Sequence, residues 1–313
     1  MMFKKAYNRA VLHIRIETVT PLLIRAGDVG LDPTAASLTC VRTRHAQYGS
    51  TVYIPGSSLK GVLRSAAESM MRERNFRGIA GACDPLHERQ SCGRRLQEDA
   101  RRANAPKPTS HVHREHCLAC RLFGSEAMKG RASVRDLFPW DAGEKDATIS
   151  EQNRYRANNL EMRHGVSIDR IFGSVKHGPF DQEMVPAGVS FWGEIALENY
   201  QVWQLGLLAQ AFDEVNTGFA QLGSTKSRGL GVATIELMSL VHEQRGLAES
   251  SAVGVGKLAS AKENDDYGLF SDAALPESRH SETRGIATRF TIQGTSDTQA
   301  WLAAGLQALG ALQ

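Results

Sequence analysis

Two patterns of apolar residues recur along the chain, and each predicts a type of secondary structure. Alternating apolar and polar positions predict strands; they occupy residues 10–24, 51–55, 130–139, 185–199 and 229–241. Apolar residues at helical spacing predict one helix after the turn at Pro55 and Gly56 and a second at 201–218. Strand, helix and strand therefore occur twice in order, which favours an α+β fold with helices against one face of an antiparallel sheet.

Three stretches lack periodicity and interrupt this order. Residues 78–130 hold many charges together with Gly, Pro, His and Cys, and we interpret them as an insertion. The polar residues 141–165 predict a mobile loop or hairpin, and residues 243–285, rich in Gly, Ser and Asp, predict a loose segment. A short terminal helix is expected at 301–312.

The charge of the chain is modestly basic and unevenly distributed. The net charge is +3, but sixteen Lys or Arg and eight Asp or Glu lie between Lys60 and Arg135. Such a stretch is either a solubilising surface or a footprint for a polyanion, and charge alone does not decide. The sequence has no apolar run of about 18 residues and no signal-peptide pattern, so we expect a cytoplasmic protein without a membrane contact.

Four of the five cysteines form two pairs within 78–130. They predict a structural Zn²⁺ ion, because two cysteine pairs complete a tetrahedral site and the insertion has few apolar residues to fold unaided. Two unlinked pairs of free thiols are the alternative. The proposed ligands are Cys83, Cys92, Cys117 and Cys120, and histidines that could substitute are His87, His111, His113 and His116. Cys40 stands alone and is expected to be a small buried residue.

Two turns combine positive charge with backbone suited to phosphate. In the first, Ser57 or Ser58 can cap the helix, with Lys60 and Arg64 one turn apart on its polar face. A helix N-terminus beside a basic side chain is a ready phosphate site, although a solvated helix face remains possible. The second turn, "GSTKSRGLG" at 223–231, has clustered glycines beside two cations, and a plain turn explains it about as well.

The loop "RAGDVGLDPTAA" at 25–36 carries Asp28 and Asp32. A carboxylate in such a loop can hold a divalent cation or orient a 2′-hydroxyl. An Asp before Pro is also a common turn residue, and both interpretations stay open.

Four motifs in order resemble one family. "YIPGSSLKGVLRS", "CLACRLFGS", "GVSIDRIFGSVKHGPF" and "GSTKSRGLG" together are similar to the RAMP superfamily, specifically the zinc-containing, single-RRM branch of type III CRISPR backbone subunits. The resemblance covers residues 8–240. It implies a ferredoxin-like or RRM-type βαββαβ core with large insertions.

The resemblance divides the chain as follows. The core would comprise 1–77 and 131–242, with a thumb hairpin inserted near 141–184. Residues 78–130 would be the zinc-binding insertion. The resemblance does not extend to residues 243–313, which are expected to be an irregular segment with a short terminal helix.

The resemblance also implies partners in antiviral defence. Such subunits bind a CRISPR guide RNA, face a complementary target RNA and assemble with other effector subunits and with copies of themselves. Guide contacts are expected at Ser57, Ser58, Lys60, Arg64, Arg170, Lys176, Lys226, Ser227 and Arg228.

Catalysis is implied by one position in the early loop. In target-cleaving members an Asp before "PGSSLKG" cuts the target RNA, and "GLDP" places Asp32 there, with Asp28 as the second choice. The expected chemistry is attack of a 2′-hydroxyl on the adjacent phosphate with Mg²⁺ or Mn²⁺. Two alternatives remain open: a structural guide-binding subunit without nuclease activity, and a guide-processing endonuclease that uses a His without metal.

Overall fold

The computed structural model describes residues 4–26, 38–87, 90–143, 147–245 and 251–313. The strands are β1 (Asn8–Thr18), β2 (Arg42–His45), β3 (Gly49–Val52), β4 (Asn75–Phe76), β5 (Ile79–Ala80), β6 (Gly124–Ser125), β7 (Met128–Lys129), β8 (Ala132–Val134), β9 (Glu161–Ile168), β10 (Val175–Met184), β11 (Ser190–Glu198), β12 (Ala233–Arg245), β13 (His280–Arg284) and β14 (Ala287–Gln293). The helices are α1 (Gly56–Met71), α2 (Cys92–Arg102), α3 (Thr109–Arg114), α4 (Leu118–Phe123), α5 (Ala147–Asn158), α6 (Val202–Asn216), α7 (Val255–Leu258), α8 (Ala261–Tyr267) and α9 (Thr295–Gly310).

The central sheet confirms the α+β prediction. Its strand order is β13–β14–β12–β1–β11–β8, with antiparallel pairing throughout. Taken in chain order, β1, α1, β8, β11, α6 and β12 form a βαββαβ unit. Its four strands lie in the order four, one, three, two, which is the ferredoxin-like arrangement expected from the resemblance.

One face of this sheet is covered and the other is open. In β1, Leu12, Ile14 and Ile16 are fully buried, whereas His13 and Arg15 between them are only half-buried. This alternation follows from the strand repeat of two, which sends successive side chains to opposite faces. The buried face packs against the apolar stripes of α1 and α6, which contribute Leu59, Leu63, Ala67, Leu205, Leu208 and Phe212.

Helix α5 replaces the loop or hairpin predicted at 141–165, and that prediction is wrong for Ala147–Asn158. The helix is polar nearly all round and has no apolar stripe, so the sequence carries no periodic signal for it. Tertiary hydrogen bonds hold it instead. The Asn153 amide donates to the Ser190 carbonyl at 2.7 Å and accepts from the Ser190 N–H at 3.0 Å. The predicted hairpin follows α5 and consists of β9 and β10.

The C-terminal part is also more ordered than the sequence predicts. Within 251–313 the hairpin of β13 and β14 extends the central sheet by pairing with β12. The last helix, α9, has 16 residues rather than a short terminal turn and packs on α6. Gly206 and Gly305 let the two helices touch, because a Cβ atom on Gly206 would lie 2.0 Å from the Gly305 carbonyl oxygen.

We expect Gly305→Ala to lower the free energy of unfolding by about 1–3 kcal/mol, the usual cost of overpacking a tight interface. Its Cβ atom would lie 2.6 Å from the Gly206 nitrogen. Gly310→Ala in the same helix is the control, since a Cβ there meets nothing within 4 Å. Urea denaturation of both variants measures the difference. Equal stability of the two variants would show that the α6–α9 contact is loose.

Candidate metal centre and nucleic-acid interface

Four cysteines from separate elements converge in the insertion. Cys83 follows β5, Cys92 begins α2, Cys117 directly precedes α4 and Cys120 lies within α4. Their Sγ atoms all lie within 4.8 Å of one another, and the Cys83 and Cys120 sulfurs are 3.6 Å apart. Cys83 is half-buried and the other three are buried.

Backbone and side-chain donors surround the sulfurs. The Cys120 N–H points to the Cys117 Sγ at 3.5 Å, and the Cys117 N–H points to the Cys92 Sγ at 3.4 Å. The guanidinium Nη2 of Arg64 lies 3.7 Å from the Cys120 Sγ. Donors of this kind stabilise negative charge on sulfur.

Hydrogen bonding among the sulfurs separates their pKa values. Bonds from Cys117, Cys120 and Cys92 lower the pKa of the Cys83 thiol. The pKa of Cys120 is raised, chiefly by its bond with Cys117, because a thiol that donates a hydrogen bond loses it on ionising. In the absence of a metal the four thiols therefore cannot all ionise together; a divalent cation would remove this conflict.

The donor set fits zinc. Four thiolates at about 2.3 Å from Zn²⁺ in a tetrahedron lie about 3.8 Å from one another, close to the 3.6 Å between Cys83 and Cys120. The protein fills all four positions, which is the pattern of a structural rather than a catalytic site. This cysteine group could therefore hold a metal ion such as zinc.

The histidines considered as substitute ligands are not part of the cysteine group. His113 bonds through Nδ1 to the Tyr267 carbonyl at 2.8 Å, and His116 bonds to the Val112 carbonyl and the Ser125 hydroxyl. Among the described residues, the group with metal-binding geometry contains cysteines alone.

The start of α1 differs from the predicted serine cap. The helix begins at Gly56, which places Ser57 and Ser58 inside its first turn, and the Gly56 N–H donates to Asp136 Oδ1 at 2.8 Å. Gly56 itself packs against the Val134 carbonyl, where a Cβ would approach to 2.3 Å. A carboxylate from a neighbouring segment thus takes the capping role that the sequence assigned to serine.

A basic pocket lies along α1, next to the cysteines. The lining of this cavity of about 670 Å³ includes three cations, two carboxylates and two glycines: Lys60, Arg64, Lys129, Glu68, Glu126, Gly124 and Gly130. Burial lowers the pKa of the Lys60 ammonium, and the charges of Arg64 and Lys129 lower it further. Converging cations of this kind favour an anionic ligand.

Lys129 was missed by sequence reasoning, and Arg64 has a second role. Lys129 belongs to the basic stretch between Lys60 and Arg135, but no repeat in the sequence relates it to Lys60. The Arg64 guanidinium bonds to the Glu68 carboxylate at 2.7 Å and to the Gly124 carbonyl at 3.2 Å, besides Cys120. It therefore connects the basic pocket to the cysteine site.

The glycine loop at 223–231 is shaped by close packing. Gly223 and Gly231 adopt positive φ, and Cβ atoms there would lie 2.3 Å and 2.0 Å from the carbonyl oxygens of Leu23 and Leu222. The glycines are thus needed by the turn itself. The turn exposes three residues of a short 3-10 helix, Lys226, Ser227 and Arg228.

The structure does not bring the two basic sites together. β8 and β12 lie three strand positions apart, or about 14 Å. Lys129 pairs with Glu198 at 3.0 Å, at the end of the sheet where β1 begins. The glycine loop enters β12 at the end where β1 finishes. A single phosphate cannot contact both sites, whereas a strand of several nucleotides can.

Ion pairs cover much of the open sheet face. Arg9 bonds to Glu243 at 2.7 Å, and Arg15 bonds to Glu236 at 2.8 Å. These carboxylates would repel phosphate. The middle of the sheet is therefore a poor site for an RNA backbone.

The structure describes only some of the remaining residues predicted to bind RNA or to act in catalysis. Arg170 is exposed at the tip of the β9–β10 hairpin, where Asp169 accepts hydrogen bonds from two backbone N–H groups of the turn. The side chain of Lys176 lies outside the described residues, as do Asp28 and Asp32. The roles assigned to these residues stay predictions.

Comparison with models of protein families matches residues 15–234 to the RAMP superfamily. The chain belongs to the RAMP superfamily. Comparison with curated proteins found no match. RAMP proteins bind RNA and take part in CRISPR complexes. This RAMP protein is therefore a CRISPR-associated RNA-binding subunit. Within the described residues, no helix has the length and apolar character needed to cross a membrane.

Proposed function

We propose that this RAMP protein is a guide-RNA-binding backbone subunit of a type III CRISPR effector complex. The proposal is supported by family membership and by the basic pocket at Lys60, Arg64 and Lys129 beside a ferredoxin-like core. Its partners would be the guide RNA, a complementary target RNA, other effector subunits and copies of this chain.

The observation that carries the proposal is the environment of Lys60. Its ammonium is half-buried, and the charges of Arg64 and Lys129 lower its pKa, although Glu68 and Glu126 also line the pocket. A bound anion would offset the cost of burying the Lys60 ammonium. RNA phosphate supplies that charge, and the second basic site at Lys226 and Arg228 would contact a more distant phosphate of the same strand.

A structural Zn²⁺ ion would support this surface. The four cysteines would join the turn after β5 to α2 and α4, and Arg64 would link the Cys120 thiolate to the pocket wall. The ion would thereby fix the side of the pocket that faces α1. This role requires no open coordination position.

We further propose that the subunit cleaves the target RNA. This activity would depend on the segment 27–37. Asp32, or Asp28, would orient a target 2′-hydroxyl for in-line attack or bind Mg²⁺ or Mn²⁺. A divalent ion bound there would stabilise negative charge that develops on the phosphate. The glycine loop lies beside the residues that precede this segment, since the Ser224 N–H donates to the Leu23 carbonyl at 2.7 Å.

Replacing both Lys60 and Arg228 with Ala should weaken RNA binding to a similar extent for any sequence, because phosphate contacts carry no base information. Each lost contact should reduce the slope of log K against log salt by roughly 0.7, the value for single strands. Fluorescence anisotropy with two unrelated RNAs at several salt concentrations measures both effects.

Lys262→Ala is the matched control, because Lys262 is an exposed lysine on α8, remote in sequence from both basic sites. This variant should keep the wild-type slope. A loss of binding in the double variant that depends on RNA sequence would instead assign Lys60 or Arg228 to base reading. An unchanged slope would exclude the two residues from the phosphate interface.

A further inference from the structure

The hairpin of β9 and β10 carries a histidine and an aspartate that bond to each other on its exposed face. His164 and Asp181 are direct partners in the antiparallel register, and His164 Nδ1 lies 2.6 Å from Asp181 Oδ1. An ionised carboxylate only accepts hydrogen bonds, so Nδ1 carries the proton and the neutral ring keeps a lone pair on Nε2. The His164 side chain is 70% exposed, and a ligand can therefore reach this nitrogen.

The other face of the hairpin is anchored in the protein. Gln182 and Met184 of β10 are buried, and the strand repeat of two therefore sends Asp181 to the exposed face together with His164. The exposed pair is thus mounted on a strand whose inward side chains are packed.

The pair also lies where the two ends of the segment 27–37 meet. After this segment, the Leu38 N–H donates to the Asp181 carbonyl at 3.0 Å. Before it, the Ala26 N–H donates to the Thr39 carbonyl at 2.9 Å, which brings the two flanks together. The proposed cleavage depends on this segment, so the pair lies beside the part of the chain where the target would be cut.

Two exposed apolar side chains flank His164 on the same face. Met162 and Val166 lie two residues before and two residues after it in β9, and each is 49% exposed. An RNA strand that covers these side chains would also exclude water from the imidazole. Exclusion of water would strengthen the bond between His164 and Asp181, because the local dielectric constant falls.

We propose that His164 is the general base of target cleavage and that Asp181 is its positioning residue. The inference rests on the proposed function, since it assigns a role within the cleavage of the target RNA. His164 Nε2 would accept the proton of the target 2′-hydroxyl, and Asp181 would hold the tautomer that leaves Nε2 free to do so.

In the proposed step the 2′-hydroxyl proton passes to His164 Nε2 as the 2′-oxygen bonds to the adjacent phosphorus. The bond from phosphorus to the 5′-oxygen of the next nucleotide breaks in line with this attack. The leaving 5′-oxygen takes a proton from water, and the imidazolium returns its own proton to the hydroxide so formed. The products are a 2′,3′-cyclic phosphate and a 5′-hydroxyl end.

The test measures the rate at which the assembled complex cuts a labelled target that matches its guide. His164→Ala should lower this rate by about 10²-fold or more, the usual contribution of a positioned base. Guide binding and target affinity should stay unchanged. Free imidazole added to the buffer should restore part of the lost rate, because it supplies the missing base; a merely structural role would not respond to it.

His280→Ala is the matched control. His280 is an exposed histidine of β13, the outermost strand of the central sheet, and this variant should cut at the wild-type rate with or without imidazole. His164→Gln, which keeps a polar side chain on the hairpin, supplies a second variant should His164→Ala fold poorly, and it should also be slow. Circular dichroism establishes that each variant is folded.

The positioning role of Asp181 has its own measurement. Asp181→Asn removes the charge that favours the Nδ1 proton, so it should lower kcat by about tenfold or more. KM for the target should stay unchanged, because the side chain does not contact the strand. An equal change in KM alone would instead make Asp181 a binding residue and overturn its positioning role.

The outcomes separate this inference from the proposed function. If the wild-type complex does not cut the target, the proposed cleavage is wrong and the role of His164 is wrong with it. If the wild-type complex cuts and both His164 variants cut at its rate, the general base is overturned while cleavage stands. Slow cutting by His164→Ala that imidazole does not restore would also overturn the general base.

Discussion

The double variant Cys117→Ser, Cys120→Ser is expected to lose its metal and several kcal/mol of stability, or to fail to accumulate as a folded chain. Metal binding to a closed four-cysteine site is coupled to folding, so the ligands stabilise the insertion only with the ion in place. Cys117 and Cys120 are both buried, and removal of two sulfurs leaves an incomplete site among polar neighbours. Elemental analysis should give about one zinc per wild-type chain and none in the variant.

Cys40→Ala is the matched control for this experiment. Cys40 is buried in the main core, burial raises the pKa of its thiol to about 12, and it lies outside the cysteine group. The control should keep full metal content even if packing costs some stability. Wild-type metal content in the double variant would overturn the proposed ligand set.

Asp32→Ala should leave guide binding and assembly intact and reduce target cleavage by about 10²-fold or more, the usual effect of losing a positioned catalytic group. A carboxylate beside a phosphate-binding surface cannot help to hold the guide, since it repels phosphate. The measurement is the rate at which the assembled complex cuts a labelled target that matches its guide. Chelation with EDTA should reproduce the loss in the wild-type complex.

Asp28→Ala serves as the comparison within the same loop. If Asp32 is the catalytic residue, this variant should cut at close to the wild-type rate. If Asp28→Ala alone is inactive, the role passes to Asp28. Normal cutting by both variants would favour a structural guide-binding subunit and place the nuclease in another chain.

The core elements could be predicted because each has one buried face. The alternation in β1 and the apolar stripe of α1 appear in the sequence as repeats of two and of 3.6 residues. Helix α5 and strand β13 could not be predicted in this way. Both are largely exposed. Helix α5 is ordered by contacts with distant residues and β13 by pairing with β14, and neither contact leaves a periodic trace in the residues of the element.

The candidate sites also divide into those that the sequence predicts and those that it does not. Cysteine is rare enough that two pairs within one insertion predict a metal site without knowledge of the fold, and the structure brings all four sulfurs together. Lysine and aspartate are common, so their positions in the sequence say little about which residues they contact in the fold. Only the folded chain shows that Lys129 faces Lys60 and that Asp136 caps α1.

By itself, the sequence determined the α+β class, the two helices of the core, the cysteine group and the family, because these depend on local repeats and on rare residues at short spacing. Tertiary structure decided the rest: the role of the last 63 residues in the sheet and core, and the engagement of Arg64 with Cys120. These features join residues far apart in the chain. Their positions follow from which faces pack together, and no local pattern encodes that.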